Sequence, residues 1–181
     1  MSAFDQDQNL NNIIKVAREG DLAAFEQLVT LFERRIFGFA FRHVSNREDA
    51  EDITQDIFIK LYKKLGSYDS TQGFTTWLFT IATNTIYDFL RRKRAKPELL
   101  IVDDPDAPFE TKDTHDAYIS VEARVDVTEG LAKIKPVYQT VLLLFYRDEL
   151  SCEEISDVLK IPVGTVKTHL ARGRSALKNV L

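Results

Sequence analysis

From Leu22 onward, apolar residues recur at steps of three and four: Leu22, Phe25, Leu28, Val29, Phe32, Ile36, Phe39 and Ala40. A helix of 3.6 residues per turn gathers these on one face, which predicts a long amphipathic helix. A shorter helix is expected before it, over residues 12–19, stopped by Gly20, with Asp21 placed to cap the next. Ser45-Asn46 interrupts the pattern. Asn46 then caps a third segment whose apolar positions are Ala50, Ile53, Ile57, Phe58 and Leu61. Residues 66–73 read as a polar loop holding one aromatic, Tyr68. A fourth helix is predicted over 75–94, with Trp77, Leu78, Ile81, Ile86, Phe89 and Leu90 as its apolar residues. The steps from Trp77 to Leu78 and Ile81 predict a core position for the indole.

The pattern then fails. Pro97, Pro105 and Pro108 stand among many acids, which predicts a linker rather than a packed element. Helical signals return at Val121. Pro136 suits the start of a helix reaching Arg147. Ser151-Cys152-Glu153-Glu154 has the form of a capping box, opening a helix through Leu159. Lys160-Ile161 is a short turn, and Pro162 suits the first turn of a last helix. Alternating strand patterns and internal repeats are absent. The expected fold is all-α: two small helical domains, 10–95 and 121–181, joined by an acidic linker, 96–120.

Charge sharpens this division. The net charge of −4 argues against a nucleic-acid partner only if the charge is evenly spread, and it is not. Arg91-Arg92-Lys93-Arg94-Ala95-Lys96 is strongly basic. From Pro162 to the end stand Lys167, Arg172, Arg174 and Lys178 with no acid. Between residues 97 and 129 lie ten acids against Lys112 and Arg124.

The last two predicted helices and their short turn form a helix-turn-helix. Ile155, Val158 and Leu159 are placed to pack against Val166 and Leu170, with Ile161 filling the turn. The second helix keeps Thr165, Lys167, Thr168, Ala171 and Arg172 on its other face. Short or cationic side chains near a helix N-terminus are what a major groove admits, and the N-terminus itself favours phosphate. The fourth helix ends in amides, hydroxyls, an aromatic and then cations, a mixture suited to holding an unstacked strand. The same cations also suit a solvated helix end, where they offset the negative C-terminal pole. Glu48, Asp49, Glu51, Asp52, Gln55 and Asp56 form an acidic face that is either plain solvated surface or a dock for a cationic partner.

Catalytic chemistry finds little support. His43, His115 and His169 are scattered, and the single cysteine, Cys152, sits in a capping position. Neither a Gly-rich phosphate loop nor a carboxylate cluster at a plausible metal site occurs, so no enzyme, cofactor or metal is expected. The apolar runs are too short for membrane insertion, and the first residues lack a secretory signal, so a cytoplasmic protein is expected.

These residues resemble a known family. Asp49 to Lys60 (DAEDITQDIFIK) is similar to region 2.2 of bacterial sigma factors. Phe74 to Asn84 (FTTWLFTIATN) resembles their region 2.3, and Asp88 with Arg91-Arg92 resembles region 2.4. Pro162 to Arg174 (PVGTVKTHLARGR) resembles the end of region 4.2. The matches fall in family order, and the short linker points to the extracytoplasmic-function group.

The resemblance implies roles. Asp49, Asp52, Gln55 and Asp56 would meet the β′ clamp helices of core RNA polymerase. Tyr68 and Asn84 would help form the pocket for a flipped base of the minus-10 element, with Asp88, Arg91 and Arg92 beside it on the promoter backbone. Thr165, Lys167, Thr168, Ala171 and Arg172 would face the minus-35 duplex. The surface around Val141 to Phe145 and Leu150 would offer a groove to the β flap. Many relatives carry a bulkier residue where this chain has Ala171, and often arginine at His169, so the preferred minus-35 sequence stays open. The acidic linker is expected to thread the polymerase's RNA-exit path, and an anti-sigma factor is an expected partner. The rival reading is a stand-alone helix-turn-helix regulator, which would bind its promoter tightly without polymerase.

Overall fold

A computed structural model of the chain describes residues 3–93 and 130–181. The expected linker, 96–120, and His115 within it lie outside the described residues. Among those described every regular element is helical, as the periodicity predicts. None of these helices is long and apolar enough to cross a membrane.

Four helices build the first body: α1 (Ala3–Arg18), α2 (Leu22–Val44), α3 (Arg47–Lys64) and α4 (Phe74–Lys93). α1 begins nine residues earlier than the apolar spacing indicates. Asp21 caps α2 by accepting the Ala24 N–H at 2.8 Å, and Ser45 closes it in the left-handed conformation, φ 52°. Asn46 caps α3 by accepting the Asp49 N–H at 2.9 Å. The core gathers Leu28, Ile36 and Phe39 of α2, Ile53, Ile57 and Leu61 of α3, and Leu78, Phe79 and Ile86 of α4, all essentially enclosed. Each such side chain contributes about 1.5–3 kcal/mol of transfer free energy.

The second body holds α5 (Pro136–Tyr146), α6 (Cys152–Leu159) and α7 (Val163–Lys178). Pro136 occupies the first turn of α5, where its missing N–H removes no helical bond. Ser151 and Glu154 complete the expected capping box at α6. Lys160 turns the chain with φ 56°, and the Ser156 hydroxyl donates to the Ile161 carbonyl, which fixes the turn into α7. α7 lies close on α5. A Cβ on Gly173 would stand 3.2 Å from Leu142 and 3.3 Å from Tyr138.

The two bodies pack against each other, α5 on α2 and α6 on α4. α5 is apolar almost all round, a composition that requires cover on more than one side. It receives α7 on its Tyr138 and Leu142 side and α2 on its Thr140 side. The sequence-based division into two domains does not anticipate this boundary.

Candidate functional site

Helix periodicity decides what α3 shows to solvent. Ala50, Ile53, Thr54, Ile57, Phe58 and Leu61 turn inward, and Thr54 satisfies its hydroxyl on the Ala50 carbonyl at 2.6 Å. Asp52, Gln55 and Asp56 are left exposed and Asp49 half-buried. The end of α4 brings its cations to this edge. Lys93 pairs with Asp49 and stands over the Phe89 ring at 5.7 Å. An open cleft of about 620 Å³ is lined by Asp49, Asp52, Gln55 and Asp56 on one side and Phe89, Arg92 and Lys93 on the other. The residues expected to meet polymerase and those expected to hold promoter backbone therefore border one another.

Arg91, Arg92 and Lys93 are all exposed. Arg91 pairs with Asp88 at 2.9 Å, and Arg92 donates to the Asp88 carbonyl at 3.3 Å. Exposed pairs of this kind contribute about 0.2–1 kcal/mol, too little to hold a guanidinium away from a phosphate. Trp77, Asn84 and Arg91 follow one another at seven-residue steps, two turns each, and so form a line along α4. Asn84 is exposed on that line.

Tyr68 is placed differently from Asn84. It is 6% exposed, and its hydroxyl donates to the Gln72 carbonyl at 2.7 Å. Its ring meets Phe74 and Trp77 with centroids 5.4 and 4.9 Å away, and burial raises its pKa. The loop thus folds onto the start of α4. Asn84 stands seven residues beyond Trp77, about 10 Å along the axis. Trp77 is half-buried in this aromatic group rather than enclosed.

In the second body Val166, His169, Leu170 and Gly173 form the packed side of α7. The His169 ring lies 5.4 Å from that of Tyr138, so this imidazole belongs to the packing rather than to the open face. Lys167 is exposed, and Thr165, Thr168 and Arg172 are half-exposed. The Thr168 hydroxyl donates to the Gly164 carbonyl at 3.0 Å, which leaves its oxygen lone pairs to accept. Ala171 departs from the expectation of an outward-facing residue: it is 7% exposed. The surface expected around Val141 to Phe145 and Leu150 is closed in this arrangement, and only Phe145 keeps partial exposure.

Sequence reasoning missed a set of polar residues at the boundary between the bodies. His43 places Nδ1 2.9 Å from the Phe39 carbonyl and Nε2 2.8 Å from the Thr140 hydroxyl. A carbonyl only accepts, so Nδ1 carries the proton, and the single Thr140 hydroxyl proton is shared between Nε2 and the Pro136 carbonyl at 2.8 Å. Tyr87 donates to the same Thr140 oxygen at 2.8 Å. Burial drives the His43 pKa down to about 4 and that of Tyr87 up to about 12, so both stay neutral at physiological pH. The available signal was a histidine in step with Ile36, Phe39 and Ala40 on an apolar stripe.

Comparison with known proteins agrees with the helix arrangement. The family description Sigma-70 region 2 matches residues 28–96, and Sigma-70 region 4 matches residues 124–177. The chain is 38% identical over 182 residues to the ECF RNA polymerase sigma factor SigW of Bacillus subtilis, covering 93% of this chain and 94% of that one. It is 31% identical to the RNA polymerase sigma-H factor of Pseudomonas aeruginosa, covering 100% and 96%. Among solved structures, the sigma factor RpoE of Bartonella quintana, crystallised with the anti-sigma factor NepR, superposes with a TM-score of 0.67 at 25% identity over 86% of this chain and 95% of that one. Two cationic helix faces and an adjoining acidic one, in the order of regions 2 and 4, are thus accounted for: the chain belongs to the extracytoplasmic-function sigma factors of the sigma-70 family.

Proposed function

We propose that this sigma factor divides its work among three faces. Asp52, Gln55 and Asp56, with Asp49 at their edge, dock on the clamp helices of core polymerase. The line from Trp77 through Asn84 to Arg91, with Arg92 and Asp88 beside it, holds the melted minus-10 strand, and Tyr68 supports that line from beneath. Thr165, Lys167, Thr168 and Arg172 on α7 read the minus-35 duplex, while Ala171 packs beneath them. The residue ranges 10–95 and 121–181 serve as the two gripping units.

One observation carries this reading. A single chain holds two open cationic faces, at the end of α4 and along α7, and the first shares a cleft with an acidic face. Sigma factors are in general not enzymes, and promoter opening here is driven by binding. The polymerase complex holds the open strand more tightly than the duplex and shifts the equilibrium toward it. Extruding one base costs a few kcal/mol, offset by contacts to its edge. An anti-sigma factor is a further partner, since the Bartonella relative was solved in complex with one.

Run-off transcription with purified core polymerase on a genomic fragment library tests the function. Transcripts from a restricted set of start sites are expected only when the chain is added. A stand-alone regulator would instead bind promoter fragments tightly by itself and start no transcripts.

A further inference from the structure

Helical phase divides α7 into a packed side and two flanks. Val166, His169, Leu170 and Gly173 make the packed side. Thr165, Thr168 and Arg172, at three- and four-residue steps, form one flank. Lys167, Arg174 and Lys178, at seven- and four-residue steps, form the other. The two flanks stand roughly 130° apart around the axis, given about 3.6 residues per turn. Between them lie Gly164, Ala171 and Ser175, all short. This shape has a counterpart in duplex DNA. The major groove is about 12 Å wide and a helix with its side chains about 10–12 Å across, so an inserted helix meets both phosphate walls at once.

On the second flank Arg174 is joined by a residue from another helix. Gly173 lets α7 approach α5 closely, since a Cβ there would stand 3.2 Å from Leu142. The approach brings Arg174 to Tyr146, the last residue of α5, and a guanidinium N–H donates to the phenolic oxygen at 3.4 Å. Tyr146 is 57% exposed, and Phe145 braces its ring edge-on with centroids 5.0 Å apart. Lys167, Arg174 and Lys178 are exposed too. Among the described residues none of these three cations joins an ion pair, and α7 holds no acid. Their charge is therefore not neutralised within the chain. The phenolic oxygen accepts from Arg174, so its own hydrogen is left to donate outward.

We propose that Tyr146 and Arg174 form a backbone-phosphate site for the second wall of the minus-35 groove, opposite the wall met by Thr165 and Arg172. The proposal rests on the sigma-factor reading above and adds to it a contact without sequence preference. The ligand is a phosphodiester, which takes one donor from the guanidinium and one from the phenol. Tyr146 also holds the guanidinium in place, and Lys178, one turn further along, extends the cationic flank.

The test uses holoenzyme reconstituted from core polymerase and the full chain, on a promoter fragment recovered by run-off transcription. Neutral methylphosphonates replace single phosphates, one at a time, along both strands of the minus-35 region. Affinity is measured by filter binding for the wild type, Arg174→Gln, Tyr146→Phe and Arg172→Gln. Neutralising a contacted phosphate should weaken the wild type about tenfold, the worth of one charge-assisted hydrogen bond. At one such position Arg174→Gln should abolish the loss, and Tyr146→Phe should reduce it at the same position. Arg172→Gln should act on the opposite strand. On unmodified duplex, Arg174→Gln should weaken binding equally for every minus-35 sequence and lower the slope of log K against log salt by about 0.9. Tyr146→Phe should leave that slope unchanged. Melting temperatures should not move, since both side chains are exposed.

The proposal is overturned if no phosphate answers to Arg174→Gln, if Arg172 and Arg174 answer to the same strand, or if Tyr146→Phe has no effect at the Arg174 position. It is also overturned if either substitution lowers affinity for core polymerase while assembled holoenzyme binds the promoter as before, which would make the patch a protein dock. A wild-type chain that yields no transcripts with core would remove the sigma-factor reading itself, a result distinct from any of these.

Discussion

Acid should destabilise this protein through one histidine. His43 is enclosed by the Phe39 ring and carbonyl, the Thr140 hydroxyl and, beyond that hydroxyl, Tyr87. Burial holds its pKa near 4 against an ordinary 6.5. The folded state thus favours the neutral ring, so this stability is complete above pH 6.5 and is lost as pH falls toward 4. At pH 5 the unfolded chain binds the proton and the folded chain largely does not. The gap from 6.5 to 5 is about 1.5 pK units, or about 2 kcal/mol.

Asp148 acts in the opposite sense. Burial raises its pKa despite Arg35, so its contribution is present in acid and fades as pH rises. Comparison with His43→Gln cancels that effect together with the other titrations common to both proteins. Urea unfolding at pH 7.5 and pH 5.0 should show the wild type losing about 2 kcal/mol more than the variant. Equal losses in the two proteins would refute the assignment of a neutral, buried imidazole.

Three further outcomes follow from the described geometry. Asn84→Ala should weaken open-complex formation on promoter DNA more than binding to closed duplex, measured by permanganate footprinting and by filter binding; equal loss in both would remove Asn84 from the strand-holding line. Charge reversal at Asp52 and Asp56, both exposed on α3, should lower affinity for core polymerase at least tenfold in a fluorescence titration while leaving the melting temperature unchanged; unaltered affinity would exclude this face as the dock. Phe39→Ala should cost about 3–5 kcal/mol in chemical denaturation, since its ring is enclosed against Phe79 and His43 and leaves a cavity between them; a loss below 1 kcal/mol would mean the site collapses freely.

Much of the fold was written in local signals. Asp21, Asn46 and the Ser151/Glu154 box are short-range chemistry, and each acts where the spacing placed it. The apolar stripes of α2 and α3 named their buried residues because an amphipathic helix has only one apolar face to bury. Residues that depend on distant parts of the chain were harder to read. Tyr68 read only as the one aromatic of a polar loop, and the contacts that the loop gives it with Phe74 and Trp77 carry no local signal. Ala171 shares helical phase with Lys167, but a methyl gives no hint of whether it faces a groove or a neighbour. The boundary between the bodies was invisible because its pairs are separated by up to 113 residues, as with Arg35 and Asp148. No periodicity links positions so far apart. The all-round apolar character of α5 was the one trace of it.

The bridge from Lys93 to Asp49 ties the fates of two surfaces together. A substitution that removes the carboxylate at 49 takes one negative charge from the acidic face proposed to dock on the polymerase and at once frees an ammonium beside Arg92. Lost attraction for protein is then accompanied by gained attraction for nucleic acid. Variants at these two positions cannot be interpreted singly, and among related chains the two positions are expected to change together.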